Sequence, residues 1–296
     1  MKQTKIKCPY CKSEKIVKRG LSPTKNRGKQ QRYLCKSCNK TFIQDLGFWK
    51  MKNSEAKITM GIDLYFSNLS SRKVRNHFRR HIEHNVSHIT VLDWCRKYVL
   101  KVHKYIDKLQ PKLSGKYYAD ETEIGRGKRN DIFWACVDWD TRMIVDTHYS
   151  LGHGVDEAKT FLEKIKKKGK PKYIQTDSAQ FYPRAMRQVF SANTKQKTYH
   201  DVERVKHKVI NTSRTGKYNV RIETVFSKIK DRVDDFRGLK ALWSAPILMA
   251  GIVLQHNFIE AHTTTGIIPS KLAGLDLGKE NNRWLELIRL ASSSQF

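Results

Sequence analysis

Acidic residues are scarce in this sequence. Its 28 Asp and Glu stand against 58 Lys and Arg, which gives a formal net charge of +30 over 296 residues. A charge excess of this size exceeds what solubility needs, and it favours a polyanionic partner that releases counterions when it is bound. Nucleic acid is therefore the leading candidate for the partner.

Long hydrophobic runs are also missing. The longest, residues 245–254, is about half as long as a segment that crosses a bilayer, and Pro246 is its second residue. This run predicts a buried helix instead. The first seven residues carry three lysines with no hydrophobic segment behind them, so no secretory signal is predicted. We therefore expect an intracellular protein without a membrane partner. The 39% of residues that are hydrophobic suffice for one large core and one or two small domains.

Cysteines are few, but four of the six form two CxxC pairs, Cys8 with Cys11 and Cys35 with Cys38. Inside a cell, such cysteines are more often reduced or metal-bound than paired in disulfides. Two CxxC turns supply four thiolates and leave no open position, which is the ligand set of a structural Zn²⁺ site. A redox CxxC is the alternative, but neither pair opens a βαβ unit. The pattern predicts a zinc ribbon over residues 1–46.

The predicted ribbon is strongly basic. The first 40 residues contain thirteen Lys or Arg and a single acidic residue, Glu14. We expect the loop between the CxxC pairs to contact DNA phosphates, and a solvated basic segment is the alternative. The DNA contacts predicted in this loop are Arg19, Arg27, Lys29 and Arg32.

From residue 54 onwards, apolar residues recur at helical spacing. Ser70 or Ser71 can cap a second helix and Ser87 a third. Three short helices joined by polar turns resemble a helix-turn-helix unit, here over residues 50–110, while a helical linker with solvated charges is the alternative. In a helix-turn-helix, the third helix enters the major groove and the second meets the backbone. The DNA contacts predicted on this basis are Arg72, Arg75, Arg79, His88, Arg96 and Lys97.

Short apolar strands replace the helices between residues 115 and 262. The pattern predicts strands at 117–124, 132–138, 143–149, 173–176 and near 198–202, helices from 155 and at 181–190, and a long helix capped by Asn219. The order βββαβαβα predicts an α/β fold in which helices cover both faces of a mixed sheet.

Three carboxylates occupy informative places in that order. Asp120 lies inside the first strand, Asp177 ends the fourth, and Glu223 lies in the first turns of the long helix. A surface charge or a helix cap is the ordinary role of any one of them, but an acid inside an apolar strand is costly unless it is neutralised. Asp201 and Glu203 are nearer alternatives to Glu223, but neither opens an apolar helix.

These motifs resemble the DDE transposases and retroviral-type integrases built on a ribonuclease H-like fold. The matching segments are Tyr118-Ala-Asp120-Glu-Thr, Gln175-Thr-Asp177-Ser, Asn219-Val-Arg-Ile222-Glu223 and Lys230-Asp-Arg232. The tail resembles that of bacterial and archaeal insertion-sequence transposases at Arg237-Gly238, His256-Asn257-Phe258, His262 and 266–269. One departure is the 45 residues between Asp177 and Glu223, a longer spacing than many of these enzymes have.

The resemblance implies a five-stranded ribonuclease H-like catalytic domain over residues 115–262, followed by a C-terminal tail at 263–296. It implies that Asp120, Asp177 and Glu223 hold two Mg²⁺ or Mn²⁺ ions for cleavage at transposon ends and strand transfer into target DNA. Lys230 and Arg232 would contact terminal DNA.

The resemblance also implies a dimer or larger assembly on paired terminal inverted repeats, in the cytoplasm of a bacterium or archaeon. Two rival functions remain open. One is a domesticated DNA-binding regulator whose acidic site is unused, and the other is a structure-specific nuclease of the same fold.

Overall fold

The computed structural model of the chain describes residues 6–24, 28–82, 85–169, 171–190, 205–210, 220–236, 239–278 and 281–293. The chain divides into two units. The first joins Met1–Tyr65, Ser71–Leu109 and Leu277–Phe296, and the second joins Phe66–Ser70 and Gln110–Asp276. Among the described residues, no helix combines the length and the hydrophobicity needed to cross a bilayer.

The first unit begins with a small antiparallel sheet. Its strands, in spatial order, are β1 (Ile16–Thr24), β2 (Gly28–Cys35) and β3 (Thr41–Ile43). The loop predicted between the CxxC pairs is thus largely a β-hairpin. The buried core of this sheet consists of Cys8, Cys35 and Phe42. A core of three residues is too small to hold a fold on its own, so this sheet needs an additional link such as a metal ion.

Three helices follow in the same unit. They are α1 (Glu55–Phe66), α2 (Ser71–His81) and α3 (His88–Ile106). As predicted, Ser87 caps α3, and its hydroxyl accepts a 3.0 Å hydrogen bond from the Thr90 amide. The apolar positions face inward, with Val74 and Phe78 of α2 buried beside Trp94 of α3.

The last helix of the chain belongs to this unit too. We number it α9 (Arg283–Ser293), and it packs against α3. Trp284, Leu287, Ile288 and Ala291 form its buried stripe at the spacing of an amphipathic helix. This helix lies within residues 263–296, for which only a C-terminal tail was predicted.

The second unit is built on a five-stranded sheet. The strands are β4 (Lys116–Arg126), β5 (Arg129–Asp138), β6 (Ile144–Ser150), β7 (Tyr173–Thr176) and β8 (Lys206–Val209). Their spatial order is β6-β5-β4-β7-β8, with β4, β5 and β6 antiparallel and with β7 and β8 parallel to β4. The predicted α/β architecture with a mixed five-stranded sheet is confirmed. The fifth strand, however, lies at Lys206–Val209, while residues 198–202 fall outside the described part of the chain.

Helices cover both faces of this sheet. They are α4 (Val155–Lys167), α5 (Phe181–Phe190) and α6 (Val220–Asp235), and Asn219, the predicted cap of α6, lies outside the described residues. Tyr117 and Ala119 of β4 join the core formed with α4 and α5. Because side chains alternate along a strand, the residues between them face the other way, where α6 packs on β4 and β5.

The rest of the second unit follows α6. It consists of α7 (Ala245–Leu254), a π-helical turn (Gln255–Ile259) and α8 (Pro269–Leu272). The predicted buried helix is confirmed as α7. Its Gly251 is so close to Phe66 that an added Cβ would lie 2.1 Å from the ring.

Candidate active site

Asp120 and Asp177 lie side by side where β7 ends next to β4. Strands β4 and β7 are parallel, with Tyr118 opposite Gln175, so two residues further on Asp120 comes opposite Asp177. Carboxylate oxygens of Asp120, Glu121 and Asp177 lie within 4.8 Å of one another. The amide of Glu121 donates to Asp120 Oδ1 at 3.0 Å, and the amide of Ala179 donates to Asp177 Oδ1 at 3.0 Å. The chain thus gathers oxygen ligands at the end of β7.

Glu223 approaches this group from α6. The buried stripe of α6 includes Ile222, Val225 and Phe226, which leaves Glu223 exposed in the first turn. Its negative charge contributes to the raised pKa of Asp120, so the two carboxyl groups lie in the same neighbourhood. Among the described residues, it is not a member of the group within 4.8 Å. Its role as a metal ligand therefore stays a prediction.

Glu121 is the member of the group that the sequence analysis missed. Strand alternation places its Cα on the α5 side, opposite to Asp120. Its Oε2 accepts a 2.5 Å hydrogen bond from the Tyr182 hydroxyl of α5, and its Oε1 lies 3.7 Å from His153 Nδ1. The sequence feature that could have identified Glu121 is a second acidic residue next to Asp120 in a largely buried strand.

The carboxylates raise one another's affinity for protons. Burial, assisted by the charges of Glu121 and Asp177, raises the pKa of Asp120 to about 7. Burial also raises the pKa of Glu121 to about 7, although the hydrogen bond from Tyr182 opposes this effect. Clustered carboxylate oxygens with raised pKa values suit hard divalent cations such as Mg²⁺ or Mn²⁺, which would remove the repulsion.

The four predicted zinc ligands also come together. Sulfur atoms of Cys8, Cys11, Cys35 and Cys38 lie within 4.8 Å of one another, with Cys8 to Cys38 at 3.6 Å and Cys11 to Cys35 at 3.5 Å. A tetrahedral site with Zn–S bonds of about 2.3 Å has S–S edges of about 3.8 Å, so the donor set fits Zn²⁺. Burial opposes ionisation of Cys35, but amides of Cys38 and Ser37 that donate to its sulfur lower its pKa to about 6. A thiolate is the form that binds metal.

The residues predicted to contact DNA differ in their exposure. On the ribbon, Arg19, Lys29 and Arg32 are exposed, and Arg27 lies outside the described residues. On α2, Arg72 and Arg79 are exposed and Arg75 is half-buried. These positions are compatible with a phosphate contact, which stays a prediction.

On α3, His88 and Arg96 are half-buried, and the exposed Lys97 places its Nζ 3.1 Å from Met51 Sδ. The assignment of α3 as a recognition helix stays a prediction. On α6, Lys230 is exposed, but Arg232 is only 11% exposed and donates to both oxygens of Glu260 at 2.8 and 3.0 Å. Arg232 therefore has a structural partner that the sequence analysis did not anticipate.

Comparison with known proteins gives one family match. A family model described as a DDE domain, DDE_Tnp_IS240, matches residues 115–262. No curated protein matches the sequence significantly.

Three of the similar solved structures come from viruses. A chain in the structure of the simian T-cell lymphotropic virus intasome in complex with PP2A regulatory subunit B56 gamma is 14% identical, with 74% of each chain covered and a TM-score of 0.39. The HTLV-2 integrase catalytic core domain with magnesium, in its dimeric form, is 16% identical over 56% of this chain and 98% of that chain, with a TM-score of 0.36. The BIV integrase catalytic core domain is 10% identical over 53% and 92%, with a TM-score of 0.36.

Proposed function

The chain belongs to the DDE_Tnp_IS240 family of DDE-type transposases, whose model matches 148 of its 296 residues, and we propose that it moves a DNA element by cleavage and strand transfer. The first step hydrolyses a phosphodiester bond at each transposon end, and the second joins the freed 3′-hydroxyl to target DNA. The observation that carries the proposal is the juxtaposition of Asp120 and Asp177 on neighbouring parallel strands, with Glu223 on the facing helix.

The carboxylates would hold divalent metal ions. Asp120, Asp177 and Glu223 supply only oxygen donors, which Mg²⁺ and Mn²⁺ prefer. Two such ions, when bound, supply the positive charge that activates a water or a 3′-hydroxyl and stabilises the leaving oxygen. The protein's part is to hold the ions and orient the DNA, so no covalent nucleophile from the chain is required.

DNA would be held by basic residues next to the site and on the first unit. Lys230 lies seven residues after Glu223 on α6, which places both side chains on one face of the helix, and Lys230 is exposed. We assign the contact with terminal DNA to Lys230 and not to Arg232, because Arg232 is engaged with Glu260. The zinc ribbon and helices α2 and α3 would hold the terminal inverted repeats.

Transposition joins two ends, so we propose that a dimer or larger homo-oligomer works on paired repeats. We place this activity in the cytoplasm of a bacterium or archaeon, as the family resemblance implies.

The test is a cleavage and strand-transfer assay on DNA that carries both flanks of the gene. We expect Asp120→Asn, Asp177→Asn and Glu223→Gln each to lower both activities by more than about 100-fold, since even an outer partner of a metal site typically costs 10- to 100-fold. Duplex binding, measured by fluorescence anisotropy, should persist in all three variants.

Asp140→Asn is the matched control. Asp140 is exposed and pairs with Lys116 at 3.4 Å. Lys116 lies opposite Tyr173, at the other end of β7 from Asp177, so the loss of Asp140 should leave activity unchanged. Full activity in any of the three site variants contradicts the assignment of that residue. A wild-type protein that binds these ends but neither cuts nor joins them would indicate a DNA-binding regulator.

A further inference from the structure

Glu121 has a position that the three-carboxylate site does not explain. It belongs to the same strand as Asp120, but its side chain leaves the strand on the opposite face, toward α5. Its carboxylate nevertheless lies within 4.8 Å of both aspartates. Asp177 follows Thr176, the last residue of β7, so the group lies past the end of a strand and can be reached from both faces of the sheet.

We propose that Glu121 is a fourth carboxylate ligand of the divalent-metal site and that Tyr182 is the residue that positions it. This inference rests on the proposed function and deepens it. Glu121 would bind metal from the α5 side of the sheet, while Glu223 would bind from the α6 side.

Charge balance supports a fourth ligand. Two divalent ions carry four positive charges, whereas Asp120, Asp177 and Glu223 together supply three negative charges. In the protein without DNA, where no phosphate adds a negative charge, Glu121 would complete the neutralisation. A metal site binds its ions most strongly when the charges of ions and ligands cancel, because a buried net charge of either sign is costly.

The contacts of Glu121 fix its orientation. Tyr182 is fully buried, and its hydroxyl donates to Glu121 Oε2 at 2.5 Å. Burial, with the nearby charge of Glu121, raises the pKa of Tyr182 well above its ordinary value, so the hydroxyl remains a donor. His153 approaches the other oxygen, Oε1, at 3.7 Å. An anchored carboxylate loses less conformational freedom when it binds an ion, which is the usual contribution of an outer partner in a metal site.

The ordinary alternative is that Glu121 only accepts the buried hydroxyl of Tyr182. Glu121→Gln separates the two roles, because an amide oxygen still accepts that hydrogen bond but is a much poorer metal ligand than a carboxylate. The readout is Mn²⁺ binding to the zinc-loaded full-length protein without DNA, followed by the electron paramagnetic resonance signal of free Mn²⁺. We expect Glu121→Gln to weaken binding 10- to 100-fold.

Thermal unfolding without metal gives a second readout. Removal of one of three close carboxylates relieves repulsion, so we expect Glu121→Gln to melt at a higher temperature than the wild type without Mn²⁺ and to gain less from its addition. This measurement also shows that the variant folds. Glu123→Gln is the matched control, because Glu123 lies two residues further along β4, is exposed and pairs with Asn130, so neither readout should change.

Tyr182→Phe tests the positioning role. Loss of the hydroxyl frees the Glu121 carboxylate, so Mn²⁺ binding should weaken several-fold, and wild-type binding by this variant would overturn the role of Tyr182. A loss of less than tenfold in Glu121→Gln overturns the fourth-ligand proposal.

Asp120→Asn in the same assay distinguishes this failure from failure of the proposed function. If Asp120→Asn loses Mn²⁺ while Glu121→Gln keeps it, only the inference about Glu121 fails. If both variants keep Mn²⁺ at wild-type affinity, the metal site itself fails, and the proposed function fails with it.

Discussion

At the scale of single residues, the cluster of Asp120, Glu121 and Asp177 contains carboxyl groups that hold protons near pH 7. A metal ion that binds there must displace these protons. Asp120 and Glu121 both have a pKa raised to about 7, chiefly by burial and then by neighbouring carboxylates. At pH 6 most of these groups are protonated, and at pH 8 most are ionised. Because a carboxylate binds metal only in its ionised form, the affinity for metal depends on pH over this window.

We predict that affinity for Mn²⁺ rises about 10- to 100-fold between pH 6 and pH 8. The direction follows because a raised pKa keeps the folded site protonated at the lower pH, and each of two groups with a pKa near 7 contributes up to about tenfold. Isothermal titration calorimetry in buffers of different ionisation enthalpy measures both the affinity and the number of protons released.

Asp120→Asn is the comparison for this measurement, because it removes one titrating group. Its remaining Mn²⁺ binding should release fewer protons at pH 7 than that of the wild type. Equal affinities of the wild type at pH 6 and pH 8 would contradict the raised pKa values of both carboxyl groups.

At the scale of elements, the π-helical turn secures the edge strand β6. Asn257 is buried, and its Oδ1 accepts from the Ile144 amide at 2.8 Å while its Nδ2 donates to the Ile144 carbonyl at 2.8 Å. The neighbouring His256 donates from Nε2 to the Arg142 carbonyl at 2.9 Å. Burial lowers the pKa of His256 to about 4, so its ring is neutral near pH 7. Asn257 therefore supplies the hydrogen bonds that a further strand would otherwise provide at Ile144, the first residue of β6.

We predict that Asn257→Ala lowers the free energy of unfolding by about 2 to 4 kcal/mol, because it leaves the buried amide and carbonyl of Ile144 without their partner. Urea-induced unfolding at pH 7, followed by circular dichroism, measures the change. Asn130→Ala is the control, since Asn130 is exposed and its loss should cost no more than about 0.5 kcal/mol. A cost below about 1 kcal/mol for Asn257→Ala would indicate that water replaces the side chain.

Elements with strong local signals could be predicted from the sequence. Strand β7 and helix α5 have the predicted bounds, because Gly169 and Pro171 end the preceding helix and Asp177 ends the strand. Strand β8 could not be located, since its Lys-His-Lys-Val segment at the edge of the sheet has no apolar alternation. Helix α9 was not predicted, although the apolar residues from Trp284 to Ala291 recur at helical spacing.

The candidate site was only partly predictable, for a physical reason. Asp120 interrupts an apolar strand, so the cost of burying its charge singles it out in the sequence, whereas Asp177, at the end of a strand, was predicted through the family resemblance. Glu121 is different, because strand alternation assigns it to the opposite face from Asp120. Only the three-dimensional structure shows that its side chain reaches the same point past the end of β7.

At the scale of the whole molecule, the excess of positive charge is concentrated at the start of the chain. The first 40 residues hold thirteen Lys or Arg against one acidic residue. Arg19, Lys29 and Arg32 are exposed on a sheet whose core is only Cys8, Cys35 and Phe42. The geometry of this basic surface therefore depends on whatever holds the four cysteines together.

We predict that removal of zinc from the protein weakens duplex binding and makes it less sensitive to salt. Each phosphate contact contributes about 0.9 to the slope of log affinity against log salt concentration, so the loss of three contacts should reduce the slope by about 2.7. Fluorescence anisotropy between 50 and 200 mM salt, before and after treatment with a zinc chelator, measures it. The triple variant Arg19→Ala, Lys29→Ala and Arg32→Ala, with zinc bound, should show the same reduction. An unchanged slope after chelation would mean that the ribbon does not contact DNA and that the positive charge acts elsewhere on the molecule.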